Sequence, residues 1–343
     1  MKQLAKLFLL VLVVGIGLAW AGLRYLEEWG QSPLDFNQDQ VLEVASGSSF
    51  HRLAAQLEDQ GLIEKAWMFR LYMRVHDKSP LLQAGEYQLN VGTNVNQLIE
   101  LVQSGEVIEY SVTLVNGHTF KQFLASLAAH PKLIQTLQQQ SPEQIMVRLQ
   151  SAHQHPEGLF YPDTYHFHKG ESDFDILARA YSRMQQLLND AWQNKADGLP
   201  YESPYEALIM ASIVEKETAV PSERGTIAGV FVNRLRKNMR LQTDPTVIYG
   251  LGDSYGGNIT RAHLRDYTPY NTYRINGLPP TPIANPALPA IEASLHPEPT
   301  SALYFVAKGD GSHQFSQTLA QHQKAVRQYQ LKRRTDYRST PKK

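Results

Sequence analysis

Leu7 to Leu23, LFLLVLVVGIGLAWAGL, is a run of 17 residues without a charge, and no other stretch restricts the chain so strongly. As a helix it spans about 25 Å, the lower limit for crossing a hydrocarbon core. Lys2 and Lys6 precede it, while Glu27 and Glu28 follow. By the positive-inside rule this predicts a cytoplasmic N-terminus and export of the remainder. Trp20 and Tyr25 would then sit near the outer interface. Ala19-Trp20-Ala21 also resembles a signal-peptidase site. The apolar core is longer than the usual ~7–15 residues of a signal peptide, which favours an uncleaved anchor; either way the rest is exported.

At 343 residues the chain is long enough for two domains or one large one. Its 33 basic and 33 acidic side chains cancel, so no overall field points to nucleic acid as a partner. There is no cysteine, which removes disulfides, thiolate metal sites and cysteine nucleophiles. No cofactor is expected.

From residue 26 to 40 the chain is polar and reads as a linker. Residues 41–117 then carry a brief strand at Val41–Val44, helices from Ser48 and over Ala66–Val75, an alternating strand at Ala84–Asn90, a helix at Val95–Gln103 and a strand at Val107–Val115. Helices are predicted over Thr119–Ala129, Pro131–Gln140, Ser141–Gln150 and Phe174–Trp192. His153, His155, His166 and His168 form two H-x-H pairs that strand alternation would place on one face each. No thiolate supports a metal there, and none is expected. Pro279–Pro289 is proline-dense and reads as an extended surface wrap. Ala302–Ala307 and His313–Phe315 flank a Gly-Asp-Gly turn as a hairpin, and a helix over Ser316–Tyr329 precedes a basic tail.

The stretch SPYEALIMASIVEKETAVPSERGTIAGVFVNRLRKNMRLQTDPTVIYG, Ser203 to Gly250, says most about chemistry. Ser203 is a good N-cap, Pro204 suits the first helical position, Glu206 stands where a capping box needs its acid, and Pro221 marks the stop. Met210, Ile213, Val214 and Glu217 share one face by the i, i+3, i+4, i+7 rule, so a carboxylate falls where an apolar residue is expected. Glu215 lies on another flank with Ala211 and Thr218, so the two glutamates are not a facing pair. A carboxyl against apolar neighbours prefers its neutral form and suits a general acid. The plainer alternative is a helix-end glutamate paired with Arg224 or another cation. In the helix that follows, Ile227, Val230, Phe231 and Leu235 face inward, while Arg234 and Arg236 read as solvated charge. Thr243 and Asp244 have the types that cap a helix starting at Pro245.

ASIVEKETAVPSERG and FVNRLRKNMRLQTDPTVIYGLG, with PEGLFYPDTY, YNTY, NGLPPTPIANP and YFVAKGDGSHQFS further along, closely resemble the YceG-like family, the membrane-bound endolytic murein (peptidoglycan) transglycosylases. The resemblance implies an α+β fold: a transmembrane helix over 1–25, the linker 26–40, a small LysM-like α/β module over 41–117, a larger mainly helical α+β catalytic domain over 118–335 and a basic tail at 336–343. It implies that Glu217 is catalytic, and that Glu157, Asp163, Tyr165, Thr243, Asp244 and Asn271 gather about it to bind sugar. The implied reaction is non-hydrolytic cleavage of the MurNAc-β-1,4-GlcNAc bond within nascent strands, leaving 1,6-anhydroMurNAc ends and terminating elongation. Peptidoglycan strands, the inner membrane and a peptidoglycan synthase complex are the implied partners, with the catalytic part in the periplasm. Two rivals keep the same anchor and cleft: a non-catalytic wall-binding scaffold for synthases, and a hydrolytic muramidase that would give reducing ends.

Overall fold

In the computed structural model, which describes residues 2–76 and 82–331, helix α1 (Lys2–Gln31) runs without a break through the uncharged stretch. Its large apolar side chains from Leu4 to Tyr25 stand exposed, and the helix is long and apolar enough to cross a membrane. The basic tail, 336–343 with Lys332, Arg333 and Arg334 before it, lies outside the described residues.

The chain gathers into two compact units, 1–110 with 166–170, and 111–165 with 171–343. The first contains β1 (Gln40–Val44), α2 (Phe50–Asp59), α3 (Ala66–Val75), β2 (Gly85–Leu89) and α4 (Val95–Ser104). β1 and β2 pair antiparallel, with Leu42 opposite Tyr87. The apolar faces of α2, α3 and α4 close over them in one core with Leu53, Phe69, Leu98 and Ile99. Residues 26–40 are not a free linker. Leu26 and Leu34 belong to that core, and Gly30 of α1 packs so closely on Tyr72 that a Cβ there would lie 2.2 Å from its ring. β3 (Glu109–Thr113) pairs with β4 (Thr164–His168), and each strand carries the chain across the boundary between the units.

The second unit is mainly helical: α5 (Phe120–Ala128), α6 (Pro142–Arg148), α7 (Asp173–Gln193), α8 (Pro204–Glu217), α9 (Arg224–Arg236), α10 (Asp244–Leu251), α11 (Arg261–Arg265) and α12 (Leu288–Leu295), then the antiparallel hairpin of β5 (Tyr304–Ala307) and β6 (His313–Ser316), and α13 (Leu319–Val326). With 50% of the chain helical and only small antiparallel sheets, the fold is of mixed helix and sheet. α8 is its axis. Residues Ala207 to Val214 are all buried, so it is covered on every side. Ser203 caps it by accepting the Glu206 N–H, whereas the Glu206 carboxylate reaches the Glu202 N–H one residue further back. The helix ends at Glu217, where Thr218 turns extended (φ −141°, ψ 135°), before Pro221 is reached.

Three expectations are corrected here. Residues 131–140 are not helical, because their amides are claimed from elsewhere. The Asp173 carboxylate accepts the N–H groups of Thr136 and Leu137, and Ile134 donates to Glu171 O. The proline-dense segment is no surface wrap: residues 281–286 are all buried. Ile283 N–H donates to Ser212 Oγ on α8, and Pro282 crosses Gly158, where a Cβ would meet it at 2.4 Å. The segment then continues directly into α12, with Pro289 in its first turn, and α12 packs along α8. Thirdly, Arg234 is only 7% exposed. Its guanidinium donates to Arg240 O, Leu303 O and Gln242 Oε1, which ties α9 to the hairpin and to the loop before α10.

Gly229 of α9 lies directly against a neighbouring main chain, where a Cβ would lie 2.5 Å from Glu298 O and 2.9 Å from Thr300 Cγ2. Gly229→Ala is therefore expected to cost about 1–3 kcal/mol through forced backbone displacement. Thermal unfolding reads this directly, and an unchanged Tm would show that the 298–300 segment yields freely.

Candidate active site

Glu217 ends α8 on the same face as Met210, Ile213 and Val214, so the helix that fills the core also delivers a carboxyl to its edge. There it lines a cleft of about 390 Å³ together with Thr243, Asp244, Tyr273 and the inner strand of the β5–β6 hairpin. Burial pushes the Glu217 carboxyl up to about 7; the hydrogen bond from Thr243 opposes this, and the charge of Asp244 adds to it. Among the described residues no cation pairs with Glu217, which sets aside the reading of a helix-end ion pair.

Thr243 is the N-cap of α10, yet its hydroxyl caps nothing. It donates instead to Glu217 Oε1. The main chain of Thr243 is fixed by two further threonines. Its N–H donates to Thr272 Oγ1, its carbonyl accepts the Thr246 hydroxyl at 2.8 Å, and the Thr246 and Thr272 hydroxyls are 2.8 Å apart. The preceding residue, Gln242, has φ 52°, a left-handed conformation unfavourable to a side chain with a Cβ. It is held there by its N–H to Thr272 O and by Arg234 on its amide oxygen. Asp244 occupies the first turn of α10 and accepts the Tyr273 hydroxyl at 2.6 Å. Burial, then the bond to Asp244, drives the Tyr273 phenol up, so it remains a neutral donor.

Of the residues selected from sequence, the fold thus brings Thr243 and Asp244 to Glu217 and engages the others elsewhere. Asn271 is 1% exposed. Its amide nitrogen donates to the carbonyls of His263, Leu264 and Asp266, and its oxygen accepts the Tyr273 N–H. It sets the turn that places Thr272 and Tyr273, and has no free polar edge for a sugar. Glu157, 3% exposed, accepts from Phe120 N–H, Tyr249 O–H and Asn285 Nδ2, and burial raises it too to about 7. Asp163 pairs with Arg183 at 2.8 Å and caps Thr164 N–H, while the buried Tyr165 donates to Tyr161 O. None of these four lines the cleft.

Of the four histidines in H-x-H pairs, His153 stacks on Tyr205, His155 Nδ1 accepts Glu157 N–H, and His166 pairs with Glu109. Glu215 accepts from Asn116 Nδ2 and Ala287 N–H, away from Glu217's partner. Sequence reading passed over Thr246, Thr272, Arg234 and His313. All four stand inside the motifs quoted above, but nothing in their spacing tells a network member from a turn residue.

A carboxyl held neutral by burial favours the folded state only while protonated. For Glu217 the gain is fully present below the unfolded value of 4.5 and is lost as pH rises through about 7. Glu217→Gln should therefore raise Tm at pH 8 and leave it nearly unchanged at pH 5. A pH-independent Tm difference would show that no such burden rests on Glu217.

Three comparisons bear on kinship. Residues 42–328 match the model of the YceG-like family. A protein of Bacillus subtilis strain 168 named endolytic murein transglycosylase is 32% identical over 305 residues, 84% of this chain and 84% of the relative. One of the same name from Streptococcus pneumoniae serotype 2 strain D39 is 28% identical over 311 residues, and there the match spans 80% of this chain but only 56% of the longer relative. Among solved structures, a yceG-like protein of Listeria monocytogenes superposes with a TM-score of 0.50 at 32% identity, covering 84% of this chain and 98% of that one. With Glu217 of EKET and Thr243 and Asp244 of QTDPT joined across one cleft, and kinship running from β1 to the end of the last helix, the chain belongs to the YceG-like family.

Proposed function

We propose that Glu217 is the single acid–base catalyst of an endolytic murein transglycosylase, acting on the MurNAc-β-1,4-GlcNAc bond within a glycan strand. The chain is an enzyme of the lyase type, as its relatives' names describe. One observation carries the mechanism: a carboxyl raised to about 7 at the edge of an open cleft, with one oxygen taken by Thr243 and, among the described residues, no cation paired with it. With Oε1 accepting from Thr243, the proton resides on Oε2 and is available to the glycosidic oxygen. Protonation breaks the C1–O bond and leaves positive charge on the muramyl ring. The muramyl C6 hydroxyl then adds to C1, and its proton passes to the Glu217 carboxylate, which restores the acid. No water is consumed, and the strand ends in a 1,6-anhydro ring. The charge of Asp244 favours both the neutral acid at the start and the cationic sugar midway.

Asp244 also supports a second reading. Two carboxylic groups in one cleft are the equipment of a hydrolytic glycosidase. Products decide between them: mass spectrometry of digested glycan should find anhydromuramyl ends, and reducing ends would mean hydrolysis. A non-catalytic scaffold would release neither.

The first unit is proposed as a LysM-like wall-contacting module, supported by the order β1–α2–α3–β2 on a two-stranded sheet. Cleavage of nascent strands beside a peptidoglycan synthase is the cellular role this arrangement suits, with α1 holding the enzyme in the inner membrane.

Glu217→Gln keeps size and polarity but neither gives nor takes the proton. It should fold, bind glycan, and lose about 10²–10⁴-fold or more in turnover. Glu215→Gln should lose far less. Wild-type activity is expected to fall as pH rises through about 7, where Glu217 ionises. Anhydromuramyl release by Glu217→Gln at the wild-type rate would end the mechanism.

The Lys2/Lys6 against Glu27/Glu28 asymmetry predicts that α1 crosses once with its N-terminus cytoplasmic. A reporter that works only in the periplasm, fused after Lys343, should be active. A mature N-terminus near Gly22 would instead reveal cleavage after Ala21.

A further inference from the structure

His313 opens β6 and lines the cleft with Glu217, but the proton transfers above make no use of it. Its Nδ1 lies 2.7 Å from Glu223 Oε2, and its backbone N–H donates to Glu223 Oε1 at 2.9 Å. The two side chains are 10% and 14% exposed. Glu223 closes the short turn Pro221–Glu223 that links α8 to α9, so the contact ties the catalytic end of α8 to the hairpin forming the cleft wall. Phe305 stands edge-on to the imidazole, at 5.4 Å and 88°, and restrains its plane.

A carboxylate only accepts, so Nδ1 must carry the hydrogen that bridges to Glu223. In the neutral ring the lone pair is then on Nε2. Nε2 has no protein partner among the described residues, and it is not among the atoms sealed from solvent. His313 is part of the cleft lining, so a ligand held there comes within the reach of this residue. A purely structural latch needs only Nδ1 and the backbone N–H. It gives no reason to leave the other ring nitrogen open.

We propose that His313 is a substrate-binding residue whose Nε2, set as an acceptor by Glu223, takes a hydrogen bond from a sugar hydroxyl or acetamido N–H of the glycan. With Glu217 as the acid, this contact holds the strand against the hairpin wall. The rest of the cleft matches such a ligand. Asp244 offers a carboxylate, and Arg234, the guanidinium in the cleft lining, is engaged with two carbonyls and the Gln242 amide. An acceptor-rich lining suits the hydroxyls of an uncharged sugar.

The test uses the full-length enzyme with purified glycan strands. Turnover is measured for His313→Ala, His313→Gln and Glu223→Gln, and glycan affinity for the same changes placed on Glu217→Gln. His313→Ala should lose about tenfold in kcat/KM, mostly through KM, with an equal loss of affinity in the Glu217→Gln enzyme. His313→Gln should recover most of it, because the Gln oxygen can occupy the place of Nε2. Glu223→Gln offers one donor where two acceptors are needed, which lets the ring present Nε2–H instead. It should reproduce the loss with His313 still in place. Unchanged KM and affinity in His313→Ala would overturn the assignment. So would a loss that follows Tm alone and is not recovered by His313→Gln. Failure of the acid reading is distinguishable, since Glu217→Gln with His313 intact would then turn over at the wild-type rate.

Discussion

The hydrogen bond from Thr243 Oγ1 to Glu217 Oε1 joins the last residue of α8 to the cap of α10, and the geometry of the cleft depends on it. Neither residue could hold that position alone. Glu217 extends from a helix buried on every side, so its Cα is fixed by core packing. Thr243 sits in a loop, where position must come from hydrogen bonds. Thr272 and Thr246 supply them by clasping its main chain from both sides, and Arg234 with Thr272 O keeps Gln242 in its left-handed turn. Left-handed backbone costs a non-glycine residue about 1–2 kcal/mol. The two hydrogen bonds of Gln242, to Thr272 O and from Arg234, offset a cost of that size. The strain thus stands next to the site it helps to aim, and the polar residues around it serve to keep one hydroxyl pointed at one carboxyl.

Helix ends sort the two acids of the cleft into different roles. Glu217 is at a C-terminus, where the helix dipole is negative and disfavours a second negative charge. Asp244 is in a first turn, at the positive end of its helix, and is further held by the Tyr273 hydroxyl. Burial and dipole therefore act in the same sense on Glu217, and the charge of Asp244 adds to them. The fold thus gives the two carboxyl groups of one cleft different surroundings, one at a helix C-terminus and one in a first turn beside a phenol.

What could be read from the sequence, and what could not, divides along the same physical line. α8, α9 and the β5–β6 hairpin were legible because they are local: a cap, a period of 3.6 and a Gly-Asp-Gly turn are written in neighbouring residues. So was the odd carboxylate on the apolar face of α8. Residues 131–140 were misread because their amides answer to Asp173, 36 and 37 positions away, and no window over the segment contains that partner. Arg234 looked like solvent-facing charge since its three acceptors come from other segments, two of them main-chain carbonyls with no sequence signature. The burial of 281–286 was hidden for a related reason. Prolines suggest an extended path, but whether that path runs over the surface or through the core is decided by what crosses it, here α8 and Gly158.

Asn271 and Glu157 show why a residue can matter to a site it does not touch. The Asn271 amide satisfies three carbonyls and one N–H, and removing it would orphan all four while loosening the turn that presents Tyr273 to Asp244. Glu157 joins the start of α5, the middle of α10 through Tyr249, and the buried 281–286 segment through Asn285. Thr243 and Asp244 stand at the start of α10, so a shift at Glu157 would be transmitted to the cleft along the six residues from Tyr249 back to Asp244. Loss of activity at either position would therefore report on the frame, and would be accompanied by loss of stability. At Glu217 the two effects have opposite signs above neutral pH, because the same burial that makes the acid useful weakens the fold once it ionises. Burial raises Glu157 to about 7 as well, so what sets the proposed acid apart is its place on the cleft, whereas the Glu157 carboxylate is taken up by Phe120 N–H, Tyr249 O–H and Asn285 Nδ2.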